Sequence, residues 1–229
     1  MPTSTPSWHR YSTAFPSGRS RPIDHVELGP NLVDGLDRRL LGDVTDKRVL
    51  ELGTGMGHSA IAMALQGAKV IGVDPDSAQL EYARELADEQ EIKVELHNAD
   101  LADLAFVRNE SVDLVISIHA LAAVEDLDRV FRQAHRVLKA DMPFVLSLPH
   151  PTASLVDPFS EDELRIARGY FEPATLGSGP SLTHRHLIGE VFSGLIRANF
   201  RVDTLIENPY ADKATLPETL VFRAKKVGN

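Results

Sequence analysis

Residues 49–60 read VLELGTGMGHSA: a short apolar run, then glycines at three alternate positions (Gly53, Gly55 and Gly57), then residues that suit a helix. Apolar residues without alternation, stopped by glycine, predict a strand buried on both faces. The segment GHSAIAMALQ that follows predicts a helix closed by Gly67. A strand that turns on glycines into a helix N-terminus lets a ligand reach the backbone and meet its N–H groups. Spacing excludes two phosphate-binding versions of this turn. The dinucleotide version needs glycine where this chain has His58, and the phosphate-loop version needs a Gly-Lys-Ser/Thr that is missing. Glu51, two residues ahead of the first glycine, faces where an ammonium group could lie, which suits an amino-acid moiety and not a diphosphate.

On either side of the turn, short apolar runs alternate with amphipathic segments. AKVIGVD (68–74), IKVELHNAD (92–100), VDLVISI (112–118) and MPFVLSLPH (142–150) read as further strands. DSAQLEYARELADEQ (76–90), begun by Asp76 or Ser77, and LDRVFRQAHRVLK (127–139) read as the helices between them. This alternation predicts a doubly wound α/β fold, a mostly parallel sheet with helices on both faces. After a helix at 186–199 come strands FRVDTLIE (200–207) and TLVFRAKK (219–226). The connection between them is too short for a crossover helix, so the last two strands should pair antiparallel.

Two irregular regions flank this pattern. Residues 1–22 hold four prolines and the aromatics Trp8, Tyr11 and Phe15, and read as an arm. It leads to a helix expected from about Pro30 to Leu41. Residues 150–183 form an insertion after the fifth strand, in which Ser160 and Glu163 stand at the capping-box interval and predict one short helix.

Composition limits what such a fold does here. A chain of 229 residues, 43% hydrophobic, suits one domain with a substantial core, 1–229. Within it, 1–45 are arm and lid, 46–149 the cofactor half, 150–183 an acceptor lid and 184–229 the end of the sheet. The net charge of −9 argues against a nucleic-acid partner, which needs clustered Lys and Arg. No apolar run approaches the ~20 residues of a membrane span, and the first residues lack the apolar core of a secretory signal, so a cytoplasmic location is expected. The absence of Cys removes disulfides, thiolate metal sites and a Cys nucleophile together. His184 and His186, on either side of Arg185, do not share a helix face, and no carboxylate stands at ligand spacing, so no metal site is expected.

At this point the chain resembles the class I S-adenosylmethionine-dependent methyltransferases, whose first motif is an acid followed by x-G-x-G-x-G after the first strand. ELGTGMG agrees with it at every defined position. The family's second motif, an acid ending the second strand, is supplied by Asp74, which could accept both ribose hydroxyls. Its third, an acid after the third strand that accepts from the adenine amino group, is supplied by Asp100. The likeness carries motifs over about residues 46–149, extends loosely to Lys226, and is most akin to bacterial small-molecule methyltransferases, including those acting on quinone precursors. It implies a seven-stranded Rossmann-like sheet of order 3-2-1-4-5-7-6 with the last strand antiparallel. It also implies S-adenosylmethionine as cofactor, with Glu51, Gly53, Thr54, Gly55, Gly57, Asp74, Pro75, Asp100, Leu101 and Ser117 around it.

The acceptor implied by the resemblance is a small molecule attacking through O, N or C. His119, in SIHAL at the fourth strand tip, is a candidate base or positioning group, against the plainer reading of a half-buried histidine bonded to backbone. Tyr11, His150 and His184 are candidates for acceptor binding, the last in an HR segment like one that lines the pocket in the family. The Asn/Asp-Pro-Pro-Tyr motif that adenine-N6 and glutamine-N5 methyltransferases carry at the fourth strand tip is absent, which argues against amide or base-amine acceptors of that kind. Two rival functions stay open: a non-catalytic S-adenosylmethionine-binding partner subunit, and an NAD-dependent oxidoreductase, disfavoured by His58.

Overall fold

Val26 and Leu28 stand two residues apart and both are buried, the spacing of a strand with one face on a core. Leu28 belongs to, and Val26 directly precedes, a small antiparallel pair of β1 (Glu27–Gly29) and β2 (Leu32–Val33), the hairpin. The expected helix from Pro30 is therefore corrected at Leu32–Val33. Gly29-Pro30 breaks the helical period, and Leu28 and Leu32 serve the hairpin's buried side instead. The computed structural model describes residues 22–29, 32–33, 40–155, 166–173, 175–176, 182–209 and 216–228. The arm with Trp8, Tyr11 and Phe15, residues 34–39 of the expected helix, and the capping pair Ser160 and Glu163 lie outside them.

Past the hairpin, the apolar runs become β3 (Arg48–Leu52), β4 (Lys69–Asp74), β5 (Glu95–Asn98), β6 (Leu114–Ile118) and β7 (Pro143–Pro149). In β6 all five residues are buried, as a strand covered on both faces requires. The helices between them are α1 (His58–Leu65), α2 (Ser77–Glu89) and α3 (Leu127–Val137). The side chain of Asp76 caps α2 by accepting from Ala78 N at 2.9 Å. Along α3, Leu127, Val130, Phe131, Ala134 and Val137 make one buried stripe at helical spacing.

The insertion contributes two strands that the sequence did not announce, β8 (Thr175–Leu176) and β9 (Thr183–His184), paired antiparallel. The chain then forms α4 (Ile188–Arg197), β10 (Phe200–Pro209) and β11 (Pro217–Lys226). The large sheet runs β10-β11-β7-β6-β3-β4-β5. Numbered along the chain, its seven strands stand in the expected order 3-2-1-4-5-7-6, with β11 antiparallel to both neighbours. On one face, α3 and α4 meet the sheet through Phe131, Val191, Leu195 and Phe144. On the other, α1 and the hairpin meet it through Ala60, Met63, Leu28 and Val145.

Candidate functional site

The glycine turn has a shape that only its glycines permit at two points. Gly53 takes φ 75°, and a methyl group there would lie 2.0 Å from the Cβ of Ala120, just past the tip of β6. Gly57, with φ 84°, precedes the first residue of α1, and its missing Cβ would meet that of Ala83 at 2.8 Å. Backbone hydrogen bonds then fix the turn to β4: Gly53 N and Thr54 N both donate to Val73 O, at 2.8 and 3.0 Å. Helix α1 starts with no side-chain cap and no acid in its first turn, so its N-terminal end keeps its positive character.

Two buried carboxylates bracket this turn. The hydroxyl of Thr54 donates to Glu51 Oε2 at 2.7 Å, with both residues buried beneath the loop. Asp74, at the tip of β4, accepts from Gly55 N (2.8 Å, Oδ2) and from Asp76 N (2.9 Å, Oδ1). Because Asp76 caps α2, Asp74 is not that helix's cap. Each carboxylate oxygen has two acceptor positions, so backbone bonds of this kind orient the group and leave it able to take hydroxyl donors. Burial pushes the Asp74 carboxyl above its ordinary range, and the two amide donors pull against that.

The remaining cofactor candidates divide. Leu101 is buried beside Gly53, and Pro75 is exposed between the two bonded acids. Asp100 is exposed, with Oδ1 accepting from Ala102 N at 2.7 Å, as in an Asx turn. Ser117 is fully buried and its hydroxyl donates to Leu52 O at 2.8 Å, which fixes the end of β3 from within the sheet. Two neighbours carried no sequence signal. Ala120 covers Gly53, and Gln79 Oε1 lies 3.0 Å from where a Gly55 Cβ would stand.

His119 sits at the tip of β6 with φ 58° and is buried, more than the half-buried reading expected. Its N–H donates to Ser147 O at 3.0 Å, and its Nε2 lies 3.4 Å from Thr219 Oγ1. Gly29 of the hairpin packs against both side chains. The ring is thus held between β6, β11 and β1.

His150 follows β7 and is also buried. Thr152 N donates to its Nδ1 at 3.2 Å, so Nε2 carries the proton and donates to Glu207 Oε1 at 2.8 Å. His184 lies in β9, its ring centroid 6.2 Å from that of His186. His186 Nε2 donates to Val124 O at 2.9 Å, tying the end of the insertion to the segment after β6. Tyr11 lies outside the described residues. Glu218, across from His150 on β11, has a carboxyl that burial pushes up. Among the described residues no group of three His, Asp or Glu could hold a metal ion, and no helix is long and apolar enough to cross a membrane.

Burial holds the imidazoles of His150 and His186 below their ordinary 6.5, so each is neutral in the fold. Below about pH 6.5 the unfolded chain then takes up these protons before the folded one. The stability they contribute is complete above that pH and is lost as pH falls through the lowered folded values. Between pH 7 and 5 the urea midpoint of His186→Gln is expected to rise relative to that of the wild type, because the variant does not carry this histidine's loss. Equal slopes in the two proteins would remove His186 from this account.

A family model described as a methyltransferase domain matches residues 43–187, the span that carries the glycine turn, all three acids and the insertion. A ubiquinone biosynthesis O-methyltransferase of Pseudomonas syringae pv. tomato is 34% identical over 113 residues, 49% of this chain. The chain spans 48% of that relative, about half its length. An S-adenosylmethionine-dependent methyltransferase structure from Mesorhizobium loti superposes with TM-score 0.72 and 25% identity, covering 82% of this chain and 95% of that one. A Burkholderia thailandensis 1,6-didemethyltoxoflavin-N1-methyltransferase, solved with 1,6-didemethyltoxoflavin and S-adenosylhomocysteine, shares the fold at TM-score 0.59 and 19% identity, over 80% of this chain and 72% of that one. The strand order, the turn held open beneath Ala120 and the family model covering most of the chain agree: it belongs to the methyltransferase-domain family, in the class I S-adenosylmethionine-dependent group.

Proposed function

We propose that this chain transfers the methyl group of S-adenosylmethionine to a small-molecule acceptor seated at the carboxyl edge of the sheet. The observation that carries the reading is Asp74, a buried carboxylate fixed by the amides of Gly55 and Asp76 beside a turn that side chains would fill. That donor set fits a ribose next to an open backbone. Glu51, Gly53, Thr54, Gly55 and Gly57 would hold the amino-acid end, Asp74 and Pro75 the ribose, and Asp100 and Leu101 the base. Ser117 would act through the floor of the site. The fold neighbour that holds S-adenosylhomocysteine and the O-methyltransferase relative support both cofactor and acceptor class.

Bound there, S-adenosylmethionine would supply a sulfonium methyl group open to in-line displacement by an acceptor lone pair. No covalent bond to the protein is required, so the chain's own contribution is to align the two molecules and keep water out. Where the acceptor must lose a proton, His119 is our candidate to position it or receive it. The unit we propose is a single domain in which the arm with Tyr11 and the 150–183 insertion, with His150 and His184, shape the acceptor side. A cytoplasmic location belongs to the same proposal, and cell fractionation tests it.

Calorimetric titration with S-adenosylhomocysteine, with NADH in parallel, tests the cofactor. Saturable binding of the first and none of the second is expected, whereas a folded protein that binds neither would defeat the proposal. Ile166 and Phe171 of the insertion stand 75% and 84% exposed, which favours one second reading, a binding subunit whose insertion meets a partner protein. Methyl transfer by the isolated chain to any small acceptor decides against it.

A further inference from the structure

We propose that Arg185 is the recognition group for a carboxylate on the acceptor; this rests on the methyl-transfer reading above and narrows its substrate class. Arg185 follows directly on β9, which packs on the short 3-10 helix Ala120–Ala123. The first residue of that helix covers Gly53, and the next residue in the chain, His186, is bonded to Val124 O just beyond its end. The backbone that carries Arg185 is thereby rooted on the same strand-tip layer as the glycine turn.

Its bonding is incomplete in a way that points to a ligand. Nη2 donates to the backbone oxygen of Glu172, while Nε and Nη1 are enclosed and have no hydrogen-bond partner among the described residues. Nor does Arg185 make an ion pair among them. Two acids of this region serve backbone amides instead: Glu172 Oε2 accepts from Gly169 N and Glu190 Oε2 from Leu187 N, both at 3.1 Å. Two other arginines are bonded differently. Arg197 grips Asp128 with bonds of 3.0 and 3.2 Å, and Arg136 is caged by Leu104 O, Val107 O and Asn109 Oδ1.

Enclosed N–H groups on a charged side chain are costly to leave unbonded. A planar carboxylate can meet one edge of this guanidinium with two parallel bonds, from Nε or Nη1 together with the second Nη2 hydrogen that Glu172 does not use, and it brings the matching single charge. The single charge of a carboxylate balances one guanidinium, where a phosphate dianion carries one charge in excess.

The test uses the full chain saturated with S-adenosylhomocysteine and three probes at equal ionic strength: benzoate, its neutral isostere benzamide, and inorganic phosphate. Saturation-transfer NMR is expected to show benzoate bound at least about tenfold more tightly than benzamide or phosphate. Arg185→Gln is expected to lose about tenfold or more in benzoate affinity while S-adenosylhomocysteine affinity stays within about twofold. Arg185→Lys, which keeps the charge but not the fork, should fall between and serves if the glutamine variant does not fold. Equal binding of benzamide or phosphate, no benzoate binding by the wild type, or full benzoate affinity in the variants would each overturn the proposal. Failure of the wild type to bind S-adenosylhomocysteine would instead overturn the methyl-transfer reading.

Discussion

Gly53→Ala is expected to abolish measurable binding of S-adenosylhomocysteine and to lower the thermal midpoint by several degrees. An alanine at φ 75° carries about 1–2 kcal/mol of left-handed strain. Its methyl group would also stand 2.0 Å from Ala120 Cβ, a distance no real pair adopts, so either the turn or the tip of β6 must move. Overpacking of this kind adds about 1–3 kcal/mol. The binding loss follows from the displacement, because a shift near 1 Å in positioning groups costs on the order of a hundredfold. Gly42 provides the control: it too has positive φ, at 71°, but nothing lies within 4 Å of its missing Cβ. Gly42→Ala should show the strain alone and bind normally. Wild-type affinity in Gly53→Ala would mean that the ligand does not depend on this turn.

The second large effect is expected at Asp74. Asp74→Asn should weaken S-adenosylhomocysteine by about a hundredfold, since two hydrogen bonds from hydroxyls to a charged group are worth roughly 3 kcal/mol together. The amide oxygen can still accept from one of the backbone N–H groups that hold Asp74 now, so the loop should keep most of its shape. Stability should move the other way. The carboxyl is raised by burial, so the stability tied to its neutral form is present at acid pH and lost as pH rises through the folded value. Removing the charge relieves that loss, and the variant should be at least as stable as wild type at pH 7. Wild-type binding should also weaken as acid protonates Asp74, while binding by the variant stays flat. Unchanged affinity at pH 7 would take Asp74 out of the site.

These effects show where sequence is informative. The sheet was legible because each central strand is buried on both faces and so is written as a continuous apolar run, β6 most plainly. The glycines and Glu51 were legible because their spacing along one strand-turn-helix unit already fixes their geometry, and Asp74 because it closes the apolar run of the next strand. Ala120 was not, since its contact with Gly53 exists only once β6 lies beside β3. The hairpin of β1 and β2 was read as part of a helix because strands of two or three residues are stabilised by what they pack on, here Val145 and Val221. Arg185 stood in plain view between two histidines, but what distinguishes it is that Nε and Nη1 have no hydrogen-bond partner among the described residues, which only folded surroundings define.

Strand β11 runs against its neighbours, so its opening residues, Glu218 and Thr219, arrive at the edge where every other strand ends. The proposed donor side is written, apart from Ser117, in one continuous stretch from Glu51 to Leu101, whereas the proposed acceptor side is collected from distant pieces of chain. Under the proposed methyl transfer, editing the insertion and the approach to β11 would change the acceptor with the cofactor cradle left untouched.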